Sequence, residues 1–447
     1  MASKVEQIYR YSKHSDLSEA EGRYQLSLSA SRTPNQSTTY FQGSILHPME
    51  VARGLRAISI IVGSRFFIPP AMLERILREA DPVVTSSRSM LRFEGFSACC
   101  SAYARLDICS DGLEVETLTP GTTNVDFQSE MRAALAKVRQ KNNMQISLRS
   151  DEFELGVDSE QVVEEKVKLP LRWLKGFAEV QSHQVEMVLR HKINRNGTVK
   201  FLRDLPRAKS RHPSWIVSSS KSLRLSHRAV AGAVKIKGYE RLRVLEELAP
   251  LCDSLSIYAG ARDESAWVLS LGTQRFTLVL SADPSRGFSG DGRLLSDLAK
   301  EGSTAALAKV KSALAWQDEI EVEGFSEELG LDSEDVDVAL ATCASNGLLG
   351  FDVSTGSYFH RVLPFDMSVI ESLSPRLKGA RKLVESGAVQ IKQNGKEVLA
   401  EVVSQDVVHR VKLNDDEEKC TCPWYAKYQG NRGPCKHVLA VQIVTEE

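Results

Sequence analysis

Three cysteines and one histidine near the end of the chain have the residue types and spacing of a metal site. They are Cys420, Cys422, Cys435 and His437, in the pattern C-x-C-x12-C-x-H. On an extended backbone, residues two apart point to the same face, so each pair can present both side chains to one ion. Structural zinc is held by four Cys and His ligands in a tetrahedron. The pattern therefore predicts one structural zinc ion, with no ligand position left for a reactive water.

The segment between the two ligand pairs favours a turn that brings one pair back onto the other. Its turn-forming residues are Gly430, Asn431, Gly433 and Pro434. The alternative is that the cysteines are ordinary reduced core thiols. Free core cysteines lie in apolar runs, whereas this segment follows the acidic stretch 415–418. We expect Trp424 and Tyr425 to cover the metal. The alternative is that these two aromatic side chains bind a partner.

These residues, together with the helical pattern from Val438 to Val441, resemble the SWIM zinc finger. That module occurs in Swi/Snf-type ATPases, plant Mutator-like transposases and many bacterial proteins. The segments LRFEGFSACCSAYARLDI, PGTTNVDF and KLPLRWLKGFAEVQ resemble, more loosely, the body of a bacterial family of SWIM proteins of about this length. Members of that group are often encoded beside MoxR-type AAA+ ATPases and von Willebrand A-domain proteins. The resemblance implies a protein partner of one of these kinds and brings no known catalytic residues.

The elements that must position this site belong to a multidomain α+β protein. A length of 447 residues is typical of several domains, and a hydrophobic fraction of 42% is enough for ordinary cores. We predict four parts. They are an N-terminal α+β domain at 1–165, a basic β-rich central domain at 166–301, an acidic winged-helix-like domain at 302–366 and a SWIM zinc-finger module of ββα type at 370–447.

Apolar periodicity places the elements of the first two parts. In the first part we predict helices at 48–66, 70–80 and 128–139, a hairpin joining 102–108 to 113–115, and strands at 144–148 and 153–157. In the second part we predict a buried anchor at Pro170, Trp173 and Phe177, strands at 185–189, 215–217 and 229–236, a helix at 239–251, and an antiparallel set at 255–258, 267–271 and 276–280.

Charge is strongly segregated along the chain, although the net charge is only −1. Residues 166–243 hold 19 Lys and Arg against 4 acids, a net charge of +15. Such asymmetry is typical of an electrostatic partner, internal or external. The aromatic residues of this block are spread out, without the stacking platform of single-strand binders. A solvated or internally neutralised face is therefore the main interpretation, and nucleic-acid contact is the alternative.

Residues 303–364 have the element order of a winged helix: a helix at 305–316, a short helix near 325–331, a third helix from Ser333, and a hairpin at 351–362. Their net charge is −8, with eleven acids and three bases. The third helix opens with Glu334 and Asp335, where phosphate contacts need Lys, Arg or backbone N–H groups. We therefore predict a protein-binding winged helix that docks on a basic surface, either the chain's own basic block or a separate protein.

No enzymatic motif is found along the chain. Walker A, HExxH and full GxGxxG motifs are absent, and the nearest nucleophile elbow, at 287–291, lacks its closing glycine. A triad assembled in space would be recognised only by geometry. The longest apolar runs are far too short to span a membrane, and the first residues lack a signal-peptide core. The remaining cysteines lie in apolar contexts, which predicts reduced thiols and a cytoplasmic protein.

The sequence thus favours a zinc-binding SWIM protein that acts as a non-enzymatic protein-interaction adaptor. The alternative is a nucleic-acid-binding protein that uses the basic block and the finger. An unrecognised enzyme is the third interpretation.

Overall fold

Strands dominate the first two thirds of the chain. The computed structural model describes residues 8–9, 16–20, 23–29, 38–66, 82–125, 132–133, 135–150, 167–168, 171–210, 212–219, 222–285, 287–288, 304–363, 374–414, 417–430 and 432–446. The strands before residue 170 are β1 Ile8–Tyr9, β2 Asp16–Ala20, β3 Arg23–Ser29, β4 Thr38–Ile45, β5 Val83–Ser86, β6 Met90–Phe96, β7 Ala102–Cys109, β8 Leu113–Leu118, β9 Gly121–Asn124, β10 Asn143–Ser150 and β11 Val167–Lys168.

The later strands fall in three groups. They are β12 Val188–Asn194, β13 Ser214–Ser219, β14 Ser222–Ser226, β15 Val234–Ile236, β16 Ser254–Ala259, β17 Ser265–Leu271 and β18 Gln274–Leu280, then β19 Leu349–Asp352 and β20 Ser357–His360, and finally β21 Val389–Gln393, β22 Val398–Ser404, β23 Val407–Leu413 and β24 Glu418–Cys420.

The helices of the described residues lie between and after these strands. They are α1 Pro48–Gly63, α2 Leu171–Val185, α3 Arg195–Asp204, α4 Thr304–Ala313, α5 Val322–Leu329, α6 Ser333–Ser345, α7 Pro375–Glu385, α8 Pro423–Tyr428 and α9 Lys436–Glu446. A 3-10 helix covers Tyr239–Glu247. None of these helices is long and apolar enough to cross a membrane.

An eight-stranded antiparallel sheet organises the body, in the order β12-β16-β17-β18-β7-β6-β5-β9. Strand β18 pairs with β7 from Gln274↔Ile108 to Leu280↔Ala102. The sheet and the single core around Phe96 and Trp267 thus draw on both sides of the boundary proposed at 165/166. Each part alone would leave one edge of an apolar strand unpaired, that of β7 in the first part and that of β18 in the second.

A second sheet of five strands has the order β2-β3-β10-β4-β8. The predicted hairpin between β7 and β8 is wrong, because β7 pairs with β6 and β18 while β8 pairs with β4. The short 3-10 turn Ser110–Gly112 carries the chain from one sheet into the other. The alternating pattern predicted both strands correctly. Alternation with a period of two residues does not, however, indicate which strands pair with each other.

Several element predictions are confirmed, namely the helix that begins at Pro48, the strand around Ile146, and the antiparallel set β16-β17-β18. The strand predicted at 185–189 is wrong in its first half, because α2 continues to Val185. Trp173 and Phe177 are fully buried, as expected for an anchor. The predicted helix at 70–80, the strand at 153–157, Pro170, and residues 128–131 and 134 of the helix at 128–139 lie outside the described residues.

Residues 304–363, here called the acidic unit, contain the predicted three helices and hairpin, α4, α5, α6 and β19-β20. The unit has a core of its own around Phe325, Leu340 and Phe351. Its hairpin is attached to the body by buried ion pairs. The Asp352 carboxylate lies 2.8 Å from Arg105 and 2.9 Å from Arg275. The unit therefore docks through its hairpin and through α6, which packs against α2, while the acids at the start of α6 stay exposed.

The C-terminal module packs α7 and α9 against one face of a four-stranded antiparallel sheet, β21-β22-β23-β24. For this module the sequence predicts a basic helix at 376–383 and strands at 389–391, 398–403 and 407–411, and α7, β21, β22 and β23 confirm them.

Candidate metal centre

Three elements deliver the four candidate ligands to one point. Cys420 is the last residue of β24, which pairs with β23 at Val411↔Cys420. Cys422 is the N-cap of α8, with Pro423 at the first helical position, where its missing N–H costs nothing. Cys435 directly precedes α9, and His437 lies in the first turn of that helix. The segment predicted as a polar turn therefore also contains a helix, α8.

The structure brings all four predicted residues together. Their ligand atoms lie within 4.8 Å of one another, and all four side chains are buried. The Nδ1 atom of His437 lies 3.8 Å from the sulfur of Cys420 and 3.9 Å from that of Cys435. Sulfur and nitrogen ligands around one tetrahedral zinc stand roughly 3.5–3.8 Å apart, given bond lengths of about 2.0–2.3 Å. The cluster can therefore hold one zinc ion.

Backbone groups are placed to stabilise thiolates at two of the cysteines. The N–H of Tyr425 points to the sulfur of Cys422 at 3.4 Å, and the N–H of Val438 points to that of Cys435 at 3.5 Å. Both donors belong to the first turns of helices, whose positive ends favour a negative sulfur.

The protonation of the metal-free cluster is uneven. Hydrogen bonding to the Cys420 thiol lowers the pKa of Cys435 to about 4. The same contact, with burial, raises the pKa of Cys420, and burial raises that of Cys422. Metal binding should therefore release the protons that the cluster still carries.

Arg376 of α7 holds the loop between the ligand pairs by hydrogen bonds to its backbone. This role was not predicted from the sequence. Its Nη1 donates to the carbonyl oxygens of Arg432 at 2.6 Å and Pro434 at 2.8 Å. Its guanidinium also lies 4.9 Å from the ring centre of Trp424. Nothing in the local pattern of α7 separates Arg376 from the other cations of that basic helix.

Trp424 and Tyr425 are half-buried and pack against the hydrophobic cluster that contains the three cysteines. Trp424 also contacts Tyr428, with ring centres 4.4 Å apart. This packing agrees with the expected covering of the site. On the other side of the site, His409 of β23 lies against His437, with ring centres 4.2 Å apart.

Residues 409–443 match the SWIM zinc finger. The chain therefore carries a SWIM finger at its C-terminus, and the matched segment contains all four residues of the cluster. No curated protein matches the chain. Among solved structures, the proliferating cellular nuclear antigen of Entamoeba histolytica aligns with 55% of this chain and 99% of its own, at 9% identity and a TM-score of 0.34. The identity and the TM-score are both too low to assign a fold or a function to the body outside the SWIM finger.

Proposed function

We propose that the chain is a non-enzymatic protein-interaction adaptor, in which the SWIM finger holds one structural zinc through Cys420, Cys422, Cys435 and His437. The observation that carries this proposal is the orientation of the acidic unit. The unit is attached to the body on one side and presents a face of carboxylates to solvent on the other.

The attachment includes buried, mutually paired charges. Arg105 donates to Asp107 at 2.9 Å and to the backbone oxygen of Phe351 at 2.9 Å. Arg361 of the acidic unit pairs with Glu94 of the body, and both are fully buried. Buried ion pairs add little net stability, but removing one partner is costly, so they fix one arrangement of the two parts.

The outward face of the unit lies on α5 and at the start of α6. Its exposed carboxylates are those of Glu321, Glu323, Glu327, Glu328, Asp332, Glu334, Asp335 and Asp337. A nucleic-acid backbone at this face would meet like charges within the screening distance of about 8 Å at physiological salt. A basic protein surface is the partner that this face fits. We propose a protein-binding winged helix here, with a MoxR-type AAA+ ATPase or a von Willebrand A-domain protein as partner.

Nucleic-acid binding by the basic block is the second candidate. The observation in its favour is a group of exposed cations on β12 and α3, which includes Arg190, Lys192, Lys200 and Arg203. However, Trp173, Phe177 and Phe201 are fully buried, so these rings are unavailable to stack on bases. We therefore place the adaptor function first.

A pull-down with the full-length protein from its native cell, with and without nuclease, tests this proposal. We expect a basic protein partner to stay bound after nuclease treatment. The triple variant Glu334→Gln, Asp335→Asn, Asp337→Asn should lose that partner. The matched triple change Asp111→Asn, Glu114→Gln, Glu116→Gln, on exposed carboxylates of the body, should retain it. Loss of all partners on nuclease treatment would contradict the adaptor function and favour the second candidate.

A further inference from the structure

We infer that the outer face of the SWIM-finger sheet is a docking groove for an acidic peptide segment of a partner protein, one that also carries aliphatic side chains. This inference rests on the proposed adaptor function, but it concerns a different surface from the acidic unit.

The two faces of the sheet have different surroundings. Ala400, Val402 and Val411 are buried on the inner face, against the helices. The opposite face carries a groove of about 430 Å³. Its lining includes Lys392, Glu401, Arg410, Lys412, Lys419 and Tyr425. The groove thus runs across all four strands and ends beside the metal centre.

The lining is positively charged. Four of its side chains are cations and Glu401 is its only carboxylate. Glu401 lies between two of the cations, 3.4 Å from Lys392 and 3.7 Å from Arg410. Glu397 and Glu417 lie beside Lys412 and Lys419 at the rim of the groove. Four cations against three carboxylates leave one net positive charge, which an acidic ligand would complement.

The same face continues into an apolar patch. Val403 and Val408 pair with each other on β22 and β23. Val403 lies two residues from Glu401, and Val408 lies two residues from Arg410, so all four side chains are on the same face of the sheet. They are 42% and 53% exposed. An apolar patch next to a charged groove is typical of a protein-interaction surface.

Two observations favour a peptide over a nucleic acid. First, cations of the groove pair with neighbouring carboxylates. Lys412 pairs with Glu397, and the Nζ atom of Lys419 lies 2.5 Å from a carboxylate oxygen of Glu417. Interspersed carboxylates suit a peptide whose acidic side chains are separated by aliphatic ones, whereas a continuous phosphate backbone would bring negative charge against each carboxylate. Second, Tyr425 is the only aromatic residue of the lining, and it is half-buried. Single-strand binders use several exposed rings.

The test measures binding of a labelled peptide of alternating glutamate and valine to the full-length protein, by fluorescence anisotropy. The double variant Arg410→Glu, Lys412→Glu should weaken binding by about fivefold or more, because two cations that would face the acidic side chains become carboxylates that repel them. Lys392→Glu, on the far strand from the metal ligands, should weaken it too. Lys396→Glu makes the same charge change on an exposed residue outside the groove and should leave binding unchanged. Unchanged zinc content in each variant shows that the finger is intact.

Two outcomes would overturn the inference. One is wild-type protein that does not bind the peptide, or binds it equally well after the groove is reversed. The other is oligothymidylate that binds more tightly than the peptide and loses affinity with the same variants, which would make the groove a nucleic-acid site. In either case, the pull-down with variants of the acidic unit remains an independent test of the adaptor function, because the groove variants do not change that surface.

Discussion

The carboxylate of Asp352, in the hairpin of the acidic unit, lies 2.8 Å from the guanidinium of Arg105, in the central sheet of the body. Both side chains are almost fully buried. Burial alone would raise the pKa of Asp352, but Arg105 and Arg275 hold that pKa well below its ordinary value. This pair joins two parts of the chain that have separate cores.

We predict that Asp352→Asn destabilises the protein by about 3–5 kcal/mol, because Arg105 and Arg275 would both lose a buried carboxylate partner and Arg105 would keep only Asp107. Thermal unfolding measures the change, and hydrogen exchange should show the loss of protection first in β19 and β20. Asp332→Asn, at an exposed position of the same unit, is the control and should change stability by less than about 0.5 kcal/mol. Equal effects of the two variants would show that the junction does not depend on this ion pair.

The same pair predicts a pH dependence. The folded-state pKa of Asp352 is depressed, so its stabilisation is fully present above the unfolded aspartate pKa of about 3.9. It is lost as the pH falls below that value toward the folded pKa. Urea unfolding of wild type and Asp352→Asn at several pH values should therefore converge on acidification. A difference between them that stays constant down to strongly acidic pH would contradict this assignment.

The metal centre predicts one zinc per chain. Cys422→Ser and His437→Ala should each lose the metal and unfold residues 389–446, while the body stays folded, because the module has its own sheet and core. Elemental analysis and hydrogen exchange measure the two effects. Cys109→Ser replaces a half-buried thiol outside the cluster and should keep its zinc. Acidification should release the metal, since protons compete for the thiolates. Stoichiometric zinc in both ligand variants would rule out this ligand set.

Arg376 predicts an effect on zinc without loss of a ligand. Arg376→Ala removes two hydrogen bonds to the loop between the ligand pairs. Zinc affinity should fall by roughly 10- to 100-fold, the usual effect of groups that orient ligands. Competition with a chromophoric chelator measures this change. Lys378→Ala, exposed on the same helix, should match wild type, and an equal loss in both would point to general destabilisation of α7.

The basic block gives a prediction that separates the two candidate functions. If Lys200 contacts phosphate, Lys200→Ala should flatten the log–log salt dependence of DNA affinity by about one unit. Under the adaptor function, the full-length protein should bind duplex and single-stranded DNA only weakly. The slope of the log–log salt dependence should then be the same in Lys200→Ala as in the wild type. Fluorescence anisotropy across a salt series distinguishes the two results.

The metal centre was the part most open to prediction, because ligand type and spacing alone specify it. The helices α1, α4, α6 and α7 were also predictable from their apolar spacing and their caps, such as Ser374 before α7. The pairing partners of the strands could not be predicted, because apolar and polar residues alternate along β7 in the same way whether it pairs with β8 or with β18. The role of Asp352 was hidden for a related reason. It counted as one of eleven acids, and only the fold places it against Arg105 and Arg275.

The pairing of β7 with β18 also constrains how the chain can fold during synthesis. Ile108 cannot meet Gln274 until the ribosome has made both segments and released the second from its exit tunnel. Until then, one edge of β7, which is buried except at Cys109, is open to other chains. Pairings between such distant segments form slowly. A nascent chain of this protein would therefore depend on chaperone protection until β18 emerges, and a fragment ending near residue 165 would aggregate.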